Sequence, residues 1–396
     1  WVLAALVAGT LVVGNAQRSG GQTSAPAGTG GVQTVISAQA RPARVDLSME
    51  LEARAAINRA LDWLAARQNE DGSWSDPSFP ALTGLPLWAF ALSDHKDKAR
   101  ITDKAVKFIL SCVQPDGGIY RQVPGKGGGL PNYNTAICMV ALHLVNDPKL
   151  TPVVLKARKF VAAGQHFGGD VYEGGMGYDQ TTGRPYTDLS SSVLAYEAMR
   201  LTQGAEDLRD ASEKRVDLDW QAAQRFLARL QSTNAADTNN VGGFIYRPDE
   251  SKAGIQTNVE GRVVFRAYGS MTYAGLLSLI YADVSRDDPR VRSAFDWAVR
   301  HWTLDENPGM GNEGLYYFYN VLTKALSAFG RDEIPVRGGA PVMWRRALVE
   351  KLIKLQKIDE TTGHGYWAND NNRFWEGNNI LVTAYSVIAL QVALGR

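Results

Sequence analysis

Two kinds of apolar segment alternate along this chain from residue 48 onward, and few folds can accommodate both. The first kind carries apolar residues at i, i+4 and i+7 within an otherwise polar run: Ile57, Leu61, Leu64; Ala105, Ile109, Cys112; Ala223, Leu227, Leu230; and Leu348, Leu352, Leu355. That spacing lays one narrow stripe along a helix whose remaining surface faces water. The second kind is apolar nearly all round: "ALTGLPLWAFAL" (81–92), "TAICMVALHLV" (135–145), "LSSSVLAYEAMRL" (189–201), "MTYAGLLSLIYADV" (271–284), "LYYFYNVLTKALSA" (315–328) and "ILVTAYSVIALQVAL" (380–394). A helix without a polar face must be covered on every side. These runs are 11 to 15 residues long and rich in Ala and Leu, which favours helix over strand.

Each amphipathic segment joins its apolar partner through a glycine-bearing turn. The six turns read "QNEDGSW" (68–74), "QPDGGIY" (114–120), "QHFGGDVYEGGMGY" (165–178), "QSTNAADTNNVGGFIY" (231–246), "HWTLDENPGMGNEGLYY" (301–317) and "QKIDETTGHGYW" (356–367). Five of the six begin with Gln, and all contain glycine followed by an aromatic. The period is irregular, roughly 45 to 80 residues, a scale typical of arrays of supersecondary units. One unit cannot bury its apolar helix alone. Six units can, if amphipathic helices form an outer ring around an inner one. The predicted fold is all-α: an α/α toroid of six helical hairpins, about twelve helices, spanning 48–396. In the turn, the Gln amide is expected to bond free backbone groups at a helix end, and the indole to cover that bond.

Gln, five residues, then Trp, after an amphipathic helix, resembles the repeated QW motif of squalene–hopene and oxidosqualene cyclases. The helix-turn-helix repeat is also similar to the β subunits of protein prenyltransferases. The first turn carries the full motif; the other five keep the glycines and an aromatic. The resemblance implies an α/α toroid and an isoprenoid or other apolar ligand in a central aromatic-lined cavity. Class II cyclases of this family protonate an alkene or epoxide with an aspartic acid of a DxDD segment entering an inner helix. "YTDLSSSVLAY" is the positional match: Asp188 takes the first carboxylate place, but Ser190 and Ser191 stand where acids should follow. "VDLDW" (216–220) opens an amphipathic helix, where Asp217 and Asp219 read as caps. The zinc of the prenyltransferases needs an Asp two residues before a Cys; Leu110 precedes Cys112 and Ala136 precedes Cys138. The Gly-Cys-Gly-Glu-Gln segment of toroidal thioester domains is missing as well.

Residue chemistry narrows the rest. The five histidines show no i, i+4 pairing and there is no aspartate-rich diphosphate–metal motif, so no metal and no cofactor is expected. A formal net charge of +1, with no basic run, gives no footprint for nucleic acid. Asp188, with Asp179 as a possible second carboxylate, is the catalytic candidate; Asp188 also reads simply as an N-cap. The candidate cavity residues are Trp88, Tyr133, Asn134, Tyr273, Glu313, Tyr317 and Trp375, at or near the starts of the inner helices. Residues 1–16, apolar and ending in small residues, are expected to be a signal peptide or N-terminal anchor, with 17–47 a Gly/Ser/Ala-rich linker. The folded part is then exported, periplasmic or extracellular, and touches a membrane only through that anchor. Cys112 and Cys138 both sit in apolar helical sequence, as buried thiols or as a pair. Three functional readings stay open: a terpenoid-cyclase-like enzyme or relative, a non-catalytic toroid binding lipid, glycan or a partner protein, and a carbohydrate-active α/α-toroid enzyme.

Overall fold

The computed structural model describes residues 45–122, 129–179, 187–336 and 339–396. The expected signal peptide or anchor (1–16) and nearly all of the linker (17–47) lie outside the described residues. Twelve α-helices are present among the described residues: α1 (Leu47–Ala65), α2 (Ala81–Ala91), α3 (Lys98–Leu110), α4 (Pro131–Leu144), α5 (Thr151–Ala163), α6 (Leu189–Leu201), α7 (Trp220–Leu230), α8 (Gly269–Tyr281), α9 (Pro289–Arg300), α10 (Leu315–Phe329), α11 (Trp344–Leu355) and α12 (Asn379–Ala393). No described helix is long and apolar enough to cross a membrane.

The even-numbered helices pack side by side in the order α2, α4, α6, α8, α10, α12 and back to α2, closing a ring. Their all-round apolar sequence is the reason: every residue of α2 is buried, and nearly every residue of α12. The odd-numbered helices lie outside. Each buries one face, as α7 does with Ala222, Ala223, Phe226, Leu227 and Leu230. Arg59 and Gln356 close the outer ring, Arg59 donating to Gln356 Oε1 at 2.7 and 3.0 Å, while Gln356 Nε2 donates to Ala56 O at 2.8 Å. Four two-stranded antiparallel hairpins sit in the connections: β1 (Met176–Gly177) with β2 (Thr187–Asp188), β3 (Ile255–Thr257) with β4 (Val263–Phe265), β5 (Glu333–Ile334) with β6 (Val342–Met343), and β7 (Lys357–Ile358) with β8 (Gly365–Tyr366).

The turn motif stitches neighbouring hairpins together. Gln68 Nε2 donates to Gly72 O in its own turn at 3.1 Å and to Ile101 O of α3 at 3.0 Å. Gln165 repeats this with Gly174 O and Asp219 O, and Gln231 with Gly242 O and Arg290 O. In these three turns one amide thus ties the turn to the start of the next outer helix. The turn glycine makes the closest approach to that same helix. Gly174 (φ +94°) is so near α7 that a Cβ there would lie 2.0 Å from Ala222 O, and Gly242 (φ +87°) stands likewise against Ser293 O. The indoles of Trp74 and Trp367 donate to Leu64 O at 2.7 Å and Leu352 O at 2.8 Å, over the ends of their own outer helices.

In the middle turns the staple position differs from the aromatic that ends the turn in the sequence. Its mark is a backbone N–H donated to a hydroxyl of the following inner helix: Trp74 to Thr83, Ile119 to Thr135, Met176 to Ser192, Phe244 to Thr272 and Trp367 to Thr383. Ile119, Met176 and Phe244 therefore take the tryptophan's place in the middle turns. The tyrosines at 178 and 246 fall two residues later and are free for another role.

Candidate functional site

In every hairpin the outer helix ends, and the inner helix begins, at the same face of the toroid. Each inner helix opens with N–H groups that have no intrahelical partner. The next hairpin supplies the acceptors. Asn134 Oδ1 takes Ala81 N of α2 (2.7 Å), Tyr178 O takes Asn132 N of α4 (3.1 Å), and Tyr246 O takes Leu189 N of α6 (2.8 Å). Asn307 Oδ1 takes Ser270 N of α8 (2.8 Å), and Glu376 takes Tyr316 N and Tyr317 N of α10 (3.2 and 2.7 Å). Asn378 caps α12 itself and reaches Ser75 before α2, at 2.7 Å, which completes the circle. These caps hold the mouth of the barrel in shape.

Inside the mouth lies a cavity of about 540 Å³. One part of its wall is apolar: Leu82, Leu85, Leu130, Met271 and Leu381, with Phe79 and Trp375 above. Six tyrosines supply much of the rest: Tyr133, Tyr178, Tyr246, Tyr268, Tyr317 and Tyr385. Burial raises all six phenols above their ordinary pKa, so they stay neutral and present hydroxyls and π faces. Tyr133 and Tyr385 meet hydroxyl to hydroxyl at 3.2 Å. Lys252 adds the one cation of the lining among the described residues, its ammonium 4.5 Å from the Tyr246 ring centroid and paired with Glu250. At the rim, Phe79 meets Trp375 edge-on at 4.6 Å. Phe374 and Trp375 both have positive φ, 57° and 68°, a conformation that costs a non-glycine residue roughly 1–3 kcal/mol.

Asp188 is the titratable group of consequence. It is the N-cap of α6, fully buried, with Ser191 N donating to Oδ1 at 2.7 Å and Ser191 Oγ to Oδ2 at 3.0 Å. Burial outweighs these donors, and the carboxyl is pushed up to about 7. The Tyr246 hydroxyl also hydrogen-bonds to it, and Tyr246 in turn is bonded to Tyr178. Asp188 therefore stands one phenol behind the cavity wall, half-protonated near neutrality.

The other sequence candidates divide. Tyr133, Asn134, Tyr317 and Trp375 line the cavity, although the Asn134 side chain is spent on capping α2 and on Gly129 O and Leu130 O. Trp88 does not line it. It sits two turns down α2, where the Lys324 ammonium lies 4.3 Å over its ring and forms a buried 2.9 Å ion pair with Glu197. Tyr273 packs into the core against Phe318, with ring centroids 5.7 Å apart. Glu313 faces outward and pairs with Arg373. Asp179 is half-buried and bears on Tyr120, whereas Asp188 is paired in its hairpin with Met176. Asp219 caps α7 by accepting from Ala222 N. Cys112 and Cys138 are buried free thiols, and no described cluster of His, Cys, Asp and Glu is arranged to hold a metal. Missing from the sequence candidates are Phe79, Tyr178, Tyr246, Lys252 and Tyr385. The available signal was the tyrosine two residues beyond the staple position, visible only once the staple is located.

Similarity to known proteins follows the architecture. No family model matches the chain. A drimenyl diphosphate synthase from Streptomyces showdoensis is 36% identical over 80 residues, a match spanning 19% of this chain and 15% of that protein. The type II terpene cyclase MstE from Scytonema, solved in complex with geranylgeranyl dihydroxybenzoate as substrate, superposes with a TM-score of 0.52 at 12% identity, covering 89% of this chain and 99% of that one. An α-1,6-mannanase of Salegentibacter gives 0.52 at 11% identity over 87% and 98% of the two chains. A D-mannose isomerase gives 0.55 at 13% identity over 90% and 100%. At such identities the superpositions establish fold alone. The chain is an α/α toroid, the fold it shares with all three.

Proposed function

We propose that this protein is a terpenoid-cyclase-like enzyme that protonates an isoprenoid held in the tyrosine-lined cavity. The observation that carries the reading is Asp188: a fully buried carboxyl with a pKa of about 7, hydrogen-bonded to a cavity-lining phenol. In the reaction proposed, Tyr246 gives its hydroxyl proton to the terminal alkene carbon while taking the Asp188 proton. The π electrons form the new C–H bond, and the positive charge falls on the adjacent tertiary carbon. Ring closure moves the cation along the chain, and loss of a substrate proton ends the sequence. That loss restores one proton, so the reaction is a net isomerisation. The faces of Tyr133, Tyr317, Tyr385 and Trp375 are placed to stabilise the migrating charge, at about 0.5–2 kcal/mol each in a dry site.

Two sets of observations support this reading. The cavity combines apolar and neutral aromatic surface, which suits a hydrocarbon chain. The structural neighbour MstE binds a geranylgeranyl compound, and the curated relative is named for a diphosphate of the same chemical class. Glycoside cleavage, by contrast, needs two carboxyls flanking one bond. The described lining carries none directly, with Asp188 lying behind a phenol and Asp179 not among the lining residues. Native mass spectrometry of protein purified from its own host tests the class of ligand. A co-purified isoprenoid mass is expected, displaced by added farnesyl or geranylgeranyl compounds; a tightly held oligosaccharide would overturn the proposal.

A further inference from the structure

Below the cavity the axis of the toroid carries a second layer of side chains. Helical residues seven apart share a face, about 10 Å apart along the axis. Four lining residues, Ala81, Ser190, Met271 and Tyr317, thereby place Trp88, Glu197, Ser278 and Lys324 beneath them on α2, α6, α8 and α10. In a core that is otherwise apolar, this layer is polar. Lys324 and Glu197 reach past α8 to form a buried 2.9 Å ion pair. Tyr281 Oη donates to Glu197 Oε1 at 3.2 Å, and the Trp88 ring lies 4.3 Å from the ammonium. The Ser278 hydroxyl is fully buried and has no hydrogen-bond partner among the described residues. A buried ion pair adds little stability over apolar side chains of the same size, so stability alone does not account for this one.

We propose that Lys324 holds an isoprenoid aldehyde covalently, as a protonated imine. This rests on the reading of the cavity as an isoprenoid site and names the head group of its ligand. Tyr385, the lining residue furthest along its helix, is the seventh of α12; Lys324 is the tenth of α10, about 4.5 Å lower. Helix side chains lean towards the N-terminus, which carries the ammonium back up to the cavity floor. Buried lysines are the usual amines of such chemistry. Glu197 takes a proton from Lys324, and the freed nitrogen lone pair forms the C–N bond as the carbonyl π pair moves to oxygen. That oxygen collects two protons through Glu197 and leaves as water, while the nitrogen lone pair completes the C=N bond. An iminium replaces an ammonium, so Glu197 and Trp88 keep a cation as their partner. Burial shields the imine from hydrolysis. The anchor also sets the direction of the chain. Asp188 caps the mouth end of α6, nine residues or about 13 Å from Glu197, so the terminal alkene of a chain fixed at Lys324 runs up to Tyr246. Lys252 would instead put the head group beside the acid, and it is 24% exposed, where water reverses an imine.

The experiment incubates the full chain with farnesal or geranylgeranial and sodium cyanoborohydride, which reduces an iminium to a stable secondary amine, and maps the adduct by peptide mass spectrometry. One isoprenyl group is expected, on the peptide carrying Lys324, and excess farnesol should protect that peptide by occupying the cavity. Lys324→Arg protein keeps the charge and forms no imine; it should bind farnesol and lose the adduct. Because the wild-type map decides alone, a variant that fails to fold does not weaken the test. An adduct on Lys252, or one spread over exposed lysines such as Lys107, would overturn the proposal. So would wild-type protein that binds farnesol and yields no adduct. Asp188→Asn protein should label as the wild type does. An adduct without cyclisation therefore counts against the acid at Asp188, and cyclisation without an adduct counts against Lys324.

Discussion

Asp188→Asn should abolish turnover of a polyprenyl substrate while leaving a protein that is more stable than the wild type above neutral pH. Asn caps a helix about as well as Asp, so the bonds from Ser191 N and Ser191 Oγ can persist and α6 should form. What Asn lacks is the transferable proton, and positioned acid catalysis is worth about 10²–10⁴-fold. The stability effect follows from linkage. The unfolded chain releases this proton near the ordinary value of 3.8, whereas the folded protein holds it to about 7. Between those values the folded state binds the extra proton, so stability falls as pH rises through that window and the full penalty is present above it. A displacement of this size corresponds to about 4 kcal/mol at most. Urea unfolding at pH 4 and pH 8 should thus show the wild type losing that much more than the variant. Tyr246→Phe should lose turnover in the same way yet retain much of the pH dependence, because the carboxyl stays buried. A variant at Asp188 that folds and turns over normally would reduce the residue to its capping role.

Gly174→Ala should be the most damaging conservative change in the scaffold. The new methyl would lie 2.0 Å from Ala222 O, at a backbone with φ of +94°, where any L side chain is strained. Neither contact can relax independently, since Gln165 ties the same turn to Asp219 at the start of α7. The expected cost is on the order of 4 kcal/mol or more, the range reserved for clashes and backbone strain combined. Gly254→Ala separates the two terms: φ there is +82°, but nothing lies within 4 Å of the added Cβ. It should cost about 1 kcal/mol, from conformation alone. Thermal unfolding of the two variants should therefore differ severalfold in destabilisation; equal effects would remove the close helix approach from the explanation.

The architecture was legible because it is written as periodicity. The i, i+4, i+7 stripe of Ala223, Leu227 and Leu230 and the all-round apolar run of α12 each admit one environment, and both are found there. The site was legible only in part. Tyr133 and Tyr317 sit three residues into their helices and reach the cavity; Trp88, the eighth residue of α2, is about 10 Å further down the axis from the start. Tyr273 begins near enough to the mouth but faces Phe318, and sequence does not give the rotation of an all-apolar helix. The middle staples hid for a different reason. Ile119, Met176 and Phe244 are unremarkable apolar residues, recognisable by their bonds to Thr135, Ser192 and Thr272 but not by type. Asp188 reads as a cap, which it is. Its raised pKa depends on burial beside Tyr178 and Tyr246, which come from separate hairpins and carry no shared local signal.

The most direct test of acid-initiated isoprenoid chemistry at Asp188 is mass spectrometry of the product formed in deuterium oxide. The Asp188 proton exchanges with solvent, so incubation with farnesyl or geranylgeranyl substrates should yield a cyclised isomer carrying one deuterium on carbon, and Asp188→Asn protein should yield none. Recovery of unchanged substrate from folded wild-type protein, or deuterated product at an undiminished rate from the variant, would contradict the account.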